Sequence, residues 1–402
     1  MEQYRQPLNW LQQQQANMTK TLIEWANINS GTYHLDGLAK MSQVLQKAFS
    51  ELSTDIAEIE LLPFSHVNSL GQVVQCHVGK ALSIRKRPEA PQQVFLCGHM
   101  DTVYGADHPF QQVKKIDDNT LNGPGVTDMK GGLLIVLYAL HALEQSPFAD
   151  QLGWEVLITS DEEIGSPASA ALLAEVGKRH KVAFIFEPAL SSGDLVGARK
   201  GCAVFTVVAK GRAAHAGRDF QAGRNAICHL AEFIQSANHL NGKREGVTIN
   251  VGRIHGGSAT NVVPNLAIAE IDVRITQSED EAWVKEAFNK IVSELSDREG
   301  FQIELHGDFH RKPKPLDAKN LKLLEFVVAA AKELNLNIQW HPSGGCCDGN
   351  NLSAAGVAVV DSLGVRGGDI HSEKEFIKLD SLVERSQLAA LLLMKLAKEQ
   401  NL

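Results

Sequence analysis

The stretch "VFLCGHMDTVYGADHPF", residues 94–110, ends an apolar run on His99 and, two residues on, Asp101. Val94, Phe95 and Leu96 read as a buried strand, and a buried strand that stops at titratable groups presents them at its carboxyl end. One such pair would be no more than the start of a polar loop, but the pattern recurs. "WEVLITS" runs into Asp161, Glu162 and Glu163, "KVAFIFE" ends on Glu187, and "GVAVVDSLGVRGGDIHSE" leads to His371. "NGPGVTDMKGG" sets Asp128 just ahead of a helix rich in small and apolar residues. In open α/β sheets ligands bind outside the carboxyl ends of the strands. Two histidines and several carboxylates converging there have the composition of a metal site.

The donors suffice for two ions. Imidazole and carboxylate suit zinc, with cobalt or manganese as substitutes, and paired ions share a bridging ligand at a separation of roughly 3.5–4 Å. His99, Asp128 and Glu187 can serve one ion, and His371, Asp128 and Glu163 the other, with Asp128 as the bridge. Asp101 is then free to accept the second ring N–H of His99 and fix its tautomer. Glu162, beside a ligand without being one, is placed to act as a general base.

These residues need a scaffold of strands that end together. The strands quoted above alternate with helical runs such as "KGGLLIVLYALHALEQ" and "PASAALLAEVGKRH", after helices expected at 8–28 and 36–52. Such alternation predicts an α/β fold with a mixed, mostly parallel sheet covered by helices on both faces. From 200 to 308 the order changes to strand, helix, strand, strand, helix, strand, from "CAVFTVVAKG" to "FQIELHGDF". That βαββαβ order predicts a two-layer α+β sandwich inserted into the larger domain. The expected organisation is one large domain in two parts, 1–199 and 309–402, with an inserted domain at 200–308 between them.

The chain has 402 residues, 44% of them hydrophobic and 21% charged, and carries a formal charge of −8. The acidic balance argues against nucleic acid or an anionic membrane as a partner. The longest apolar runs, "LLIVLYAL" and "AALLLMKLA", are too short to span a bilayer, and the first twenty residues hold no apolar signal core. The six cysteines show neither zinc-type pairs nor a disulfide framework. A cytoplasmic protein is expected.

The motifs "GHMDTV", "GPGVTDMKGG", "TSDEEIGS", "FEP", "GRAAHAG", "NVVPNLAIAEIDVR", "GGCCDGN" and "IHSEKEFI" occur in this order over nearly the whole chain. In this the chain resembles the cocatalytic zinc amidohydrolases that include glutamate carboxypeptidase, aminoacylase, acetylornithine deacetylase and succinyl-diaminopimelate desuccinylase, and is most like the glutamate carboxypeptidase type. The resemblance implies the same five ligands, Asp101 as orienting carboxylate, Glu162 as base, and a cis non-proline peptide after Asp128. It also implies a homodimer in which His215 reaches the partner's site and donates to the scissile carbonyl oxygen. Asn261 and Arg274 stand where the family places substrate-binding groups, and the fork of an arginine suits a carboxylate.

The glycines of "PSGGCCDGN", Gly345 among them, suit close backbone approach to a substrate. Cys346 and Cys347 replace the family's Gly, Ser or Thr there and are expected to be small wall residues, open to oxidation. The substrate expected is a small peptide with a free C-terminal carboxylate, with acidic C-terminal residues favoured by Arg199, Lys200, Arg274 and Arg366. The alternatives are an N-acyl amino acid deacylase and, from another class, a metal-binding partner protein without catalysis.

Overall fold

The computed structural model describes residues 1–398. Its main sheet has six strands in the order Asp55–Ile59, Ala81–Lys86, Leu152–Thr159, Gln92–His99, Val182–Ile185 and Ala358–Val360. The last four run parallel. Ala81–Lys86 runs antiparallel to both of its neighbours, which makes the sheet mixed. The two strands at this edge carry no continuous apolar run, and most residues of Asp55–Ile59 face solvent. They were therefore absent from the expected set.

Successive side chains of a strand point to opposite faces, and here each face has its own core. Val94 and Leu96 join a large cluster built with helices Lys130–Glu144 and Asp380–Lys398, whereas Phe95 and Cys97 join a second one with Leu173 and Leu352. Residues buried on both sides explain why the central strands read as unbroken apolar runs. The helix expected at 8–28 is two, Arg5–Gln12 and Gln15–Ala26, and the second expected helix is Leu35–Phe49. At the break the Trp10 carbonyl accepts from both the Gln13 backbone N–H and the Gln14 side-chain amide.

The inserted unit is a four-stranded antiparallel sheet in the order Thr248–Gly256, Leu266–Ile275, Gly201–Lys210 and Gln302–Arg311. Helices Ala226–Asn238 and Asp280–Ser296 cover one face around Phe205, Phe233 and Phe288. A short ribbon, Ala214–His215 with Val262–Val263, stands apart from this sheet. The strand Gln302–Arg311 runs past residue 308 and delivers Arg311 to the edge of the main sheet. Among the described residues no helix is long and apolar enough to cross a membrane.

Candidate metal centre

The parallel strands deliver their ends to one place. His99 closes Gln92–His99, Glu162 and Glu163 follow Leu152–Thr159, and Glu187 follows Val182–Ile185. Asp128 lies in the loop before helix Lys130–Glu144, and the Asp128–Met129 peptide bond is cis. His371 sits between the short strands Gly367–Gly368 and Phe376–Lys378, with φ of 62°, a backbone region that non-glycine residues rarely occupy. Phe376–Lys378 pairs with Thr120–Asn122, which brings the His371 and Asp128 loops together.

Asp128 stands between the two histidines. Its Oδ1 lies 3.2 Å from His99 Nε2 and its Oδ2 3.3 Å from His371 Nε2. His371 Nε2 is 3.1 Å from Glu163 Oε2, and His99 Nε2 is 3.9 Å from Glu187 Oε2. Asp101 does more than face His99 Nδ1, which lies 3.3 Å from its carboxylate and 3.0 Å from its carbonyl. The same carboxylate accepts from the backbone N–H of Glu162 and of Glu163, both at 3.2 Å, and from the Thr32 hydroxyl. It holds His99 and the Glu162–Glu163 segment in one grip.

The charges in this cluster demand a counter-ion. Burial, then the Asp128 charge, pushes Glu163 up to about 8. Burial raises Glu162 to about 7 against the pull of Arg311, and raises Glu187 well above the usual carboxylate range. Hydrogen bonds to Asp128 and Glu163 hold His371 up at about 11. Glu187 Oε1 is buried with no hydrogen-bond partner among the described residues. Buried carboxylates are expensive unless paired or bound to metal. Oxygen and imidazole donors drawn this close fit divalent cations, and His99, Asp128 and Glu163 offer ligand atoms all within 4.8 Å of one another. Glu162 lies equally near His99 and Glu187, but its Oε1 takes a hydrogen bond from Arg311 at 2.9 Å.

Two residues of the site carried no assignment in the sequence. Arg311, fully buried, bonds Glu162, Ser166 and Asp348, the last at 3.2 Å. It sits in "HRKPKP", which reads as a solvated basic turn, so no local signal marks it. Glu375, also buried, accepts from the backbone N–H groups of Gly125, Thr127 and Asp128 and from the Tyr104 hydroxyl. It lies within "IHSEKEFI", where only His371 was singled out.

A cavity of about 420 Å³ opens on the cluster. Asp128, Glu162, Glu163, Glu187 and His371 line it together with Gly345. His215 and Asn261 do not. They lie in and beside the exposed ribbon of the inserted unit, where Ala216 N–H donates to the Asn261 carbonyl. Arg274 has its fork filled by Asp272 and turns Nη1 to Cys346 Sγ at 2.8 Å. Of the other expected cations only Arg199 lines the cavity, and Asp361 neutralises it at 2.8 Å. Arg366 is clasped by Asp380 and Glu384, and Lys200 donates to the Gly246 carbonyl. The charge surplus expected to select acidic residues is thus mostly spent within the protein.

The chain is similar to several known proteins. Carboxypeptidase G2 of Pseudomonas sp. (strain RS-16) is 27% identical over 394 residues, covering 95% of this chain and 90% of its own. A probable succinyl-diaminopimelate desuccinylase of Staphylococcus epidermidis is 30% identical over 239 residues, covering 50% of this chain and 58% of its own. In fold, an M20 family metallo-carboxypeptidase of Sulfolobus solfataricus matches with a TM-score of 0.74 at 17% identity, over 95% of this chain and 99% of that one. Residues 95–395 match the model of peptidase family M20/M25/M40. The match begins in the His99 strand and runs into the final helix, so every donor of the metal centre falls inside it, and the chain belongs to peptidase family M20/M25/M40 as a hydrolytic enzyme.

Proposed function

We propose that the protein cleaves the amide bond beside the C-terminal amino acid of a small peptide, as a carboxypeptidase does, with two zinc ions held by His99, Asp128, Glu163, Glu187 and His371. The observation that carries this reading is Asp128, whose two oxygens each face a different histidine. The likeness to carboxypeptidase G2 along nearly the whole chain supports the substrate class. The ions, when bound, supply Lewis acidity toward the scissile carbonyl and the attacking water. Glu162 takes the proton of that water and returns it to the leaving amine. Arg311 keeps the Glu162 carboxylate in one orientation, and Asp101 fixes His99 and the Glu162–Glu163 backbone.

His215 and Asn261, exposed on their ribbon, complete the site of a second subunit in a homodimer, where His215 donates to the carbonyl oxygen. Gly345 contacts the substrate at the cavity wall, and Arg274, held by Asp272 and Cys346 outside the cavity lining, bears on it through Cys346. Pro188, Ala189, Leu190, Val196 and Ile370 give that cavity an apolar arm, which favours a neutral residue over an acidic one. The desuccinylase likeness supports a second reading, an N-acyl amino acid deacylase.

A panel of dipeptides, their C-terminal amides, and N-acetyl and N-succinyl amino acids separates the two. Faster turnover of the acyl amino acids makes the deacylase the answer, and equal turnover of acid and amide rejects recognition of a terminal carboxylate. In the same assay Glu162→Gln is expected to keep its metal, read by elemental analysis, while kcat falls about 10²–10⁴-fold. Asp128→Ala is expected to lose metal.

A further inference from the structure

Two cysteines face each other where the inserted sheet meets the cavity wall. Cys202 begins the strand Gly201–Lys210, and Cys346 lies between the strand Trp340–Ser343 and the helix Asp348–Ala354. They are 144 residues apart in the chain, yet their Sγ atoms are 2.7 Å apart. Cys346 is partly exposed and lines the cavity, whereas Cys202 is buried behind it. Strand pairing sets Arg274 and Arg311 on either side of Cys202. Arg274 Nη1 donates to Cys346 Sγ at 2.8 Å, and the two sulfurs share a hydrogen bond.

We propose that Cys346 and Cys202 form a site of reversible oxidation, at which hydrogen peroxide entering the cavity closes the pair into a disulfide that pins the inserted sheet to the cavity wall and stops turnover.

The chemistry of the pair supports this. The thiolate is the reactive form of cysteine, and the hydrogen bond to Cys202, followed by the charges of Arg311 and Arg274, holds Cys346 down at about 6 despite its burial. Burial pushes Cys97 and Cys347 well up, so they stay protonated. The Cys346 sulfur attacks one peroxide oxygen, an S–O bond forms, the O–O bond breaks, and the released hydroxide becomes water with the proton that the thiol gave up. Cys202 then attacks the sulfenic acid; the S–S bond forms, the S–O bond breaks, and the departing hydroxide leaves as water with the Cys202 proton. The two thiols lose two electrons and the peroxide becomes two waters. His310 Nε2, 3.2 Å from Cys202 Sγ, is neutral and near enough to relay that proton. Closing the contact to a disulfide bond of about 2.05 Å needs little movement. It also removes the negative sulfur that Arg274 holds, and it ties the inserted sheet to a residue that lines the cavity.

The test is a peptide map of the metal-loaded protein, without reductant, before and after a small excess of hydrogen peroxide. The expected product joins the Cys202 and Cys346 peptides, lighter by two hydrogens, with two fewer titratable thiols in the denatured chain. Hydrolysis is expected to fall at least tenfold, and dithiothreitol to restore both thiols and turnover. Cys202→Ser should stop at a Cys346 sulfenic acid, captured by dimedone, and should not form the linked peptide. Each variant is compared with its own unoxidised sample. Modification confined to the exposed Cys228, direct passage of Cys346 to sulfinic acid with Cys202 still reduced, or a linked peptide with unchanged turnover overturns the proposal. The wild-type map decides the linkage even if the serine variant fails to fold.

Discussion

Glu162 owes its position to Arg311, and this dependence sets two expectations at the level of single residues. Arg311→Met leaves the carboxylates of Glu162 and Asp348 buried without their guanidinium. Unpairing a buried charge typically costs about 3–5 kcal/mol, so urea unfolding should show a loss of that order. Metal content should survive while kcat falls, and Arg311→Lys should recover part of both losses. His310 offers a second reading. Burial, then the charges of Arg311 and Arg274, lowers its pKa to about 4, with Asp272 opposing them. Its folded form therefore refuses a proton that the unfolded chain accepts near its ordinary value of about 6.5. The stability from this residue is complete above that value and drains as pH falls toward 4. Melting curves from pH 7 to pH 4 should lose less stability in His310→Gln than in the wild type. Equal slopes would remove His310 from the acid response.

At the scale of elements, the metal centre depends on loops tied across the chain. Glu375 sits just ahead of Phe376–Lys378, and the pairing of that strand with Thr120–Asn122 sets its register. The carboxylate then meets three backbone N–H groups of the loop that ends at Asp128. Replacing one oxygen by an amide nitrogen turns an acceptor into a donor that faces other donors. Outer-shell partners of this kind are typically worth 10–100-fold in metal affinity. Glu375→Gln should show that loss in competition with a chromophoric chelator, and unchanged affinity would reduce Glu375 to a purely structural tie. Secondary structure at this site does little beyond aiming backbone; the strand ends provide direction, and the buried carboxylates of Asp101 and Glu375 hold the loops to it.

In the whole molecule the inserted sheet ends in two outer strands, Thr248–Gly256 and Gln302–Arg311, each with one neighbour among the described strands, and an unpaired edge invites another chain. On Thr248–Gly256 Ile254 is 56% exposed, and beside the end of that strand Ile227 is 42% exposed. This apolar strip adjoins no cavity donors, but it belongs to the same unit as the ribbon bearing His215 and Asn261. A homodimer through this edge is therefore expected by light scattering at micromolar concentration, and Ile254→Asp should shift it toward monomer and lower turnover. Mixing His215→Ala with Glu162→Gln after reversible dissociation should restore up to about a quarter of wild-type activity if His215 acts in the partner's site, since random pairing makes half the dimers mixed, each with one intact site. No recovery after proven exchange would reject that role.

The amino-acid sequence by itself determined what is local. Strands buried on both faces show as apolar runs, their last residues show as His99, Glu162, Glu163 and Glu187, and the switch of order after residue 200 marks the inserted sandwich. Each of these depends on neighbours a few residues apart, where spacing and residue type carry the information. The tertiary structure alone decided what depends on distant segments meeting. It placed Arg311 beside Glu162, 149 residues earlier, and Cys346 against Cys202, 144 residues away. It spent the charges of Arg199, Arg274 and Arg366 on Asp361, Asp272 and on the pair Asp380 and Glu384. It also added the edge strand Asp55–Ile59, most of which is exposed, and its neighbour Ala81–Lys86, whose buried stretch is interrupted by Ser83 and so shows no apolar run. A charge's partner and a thiol's neighbour are properties of packing between elements, and a linear pattern holds no record of which elements will touch.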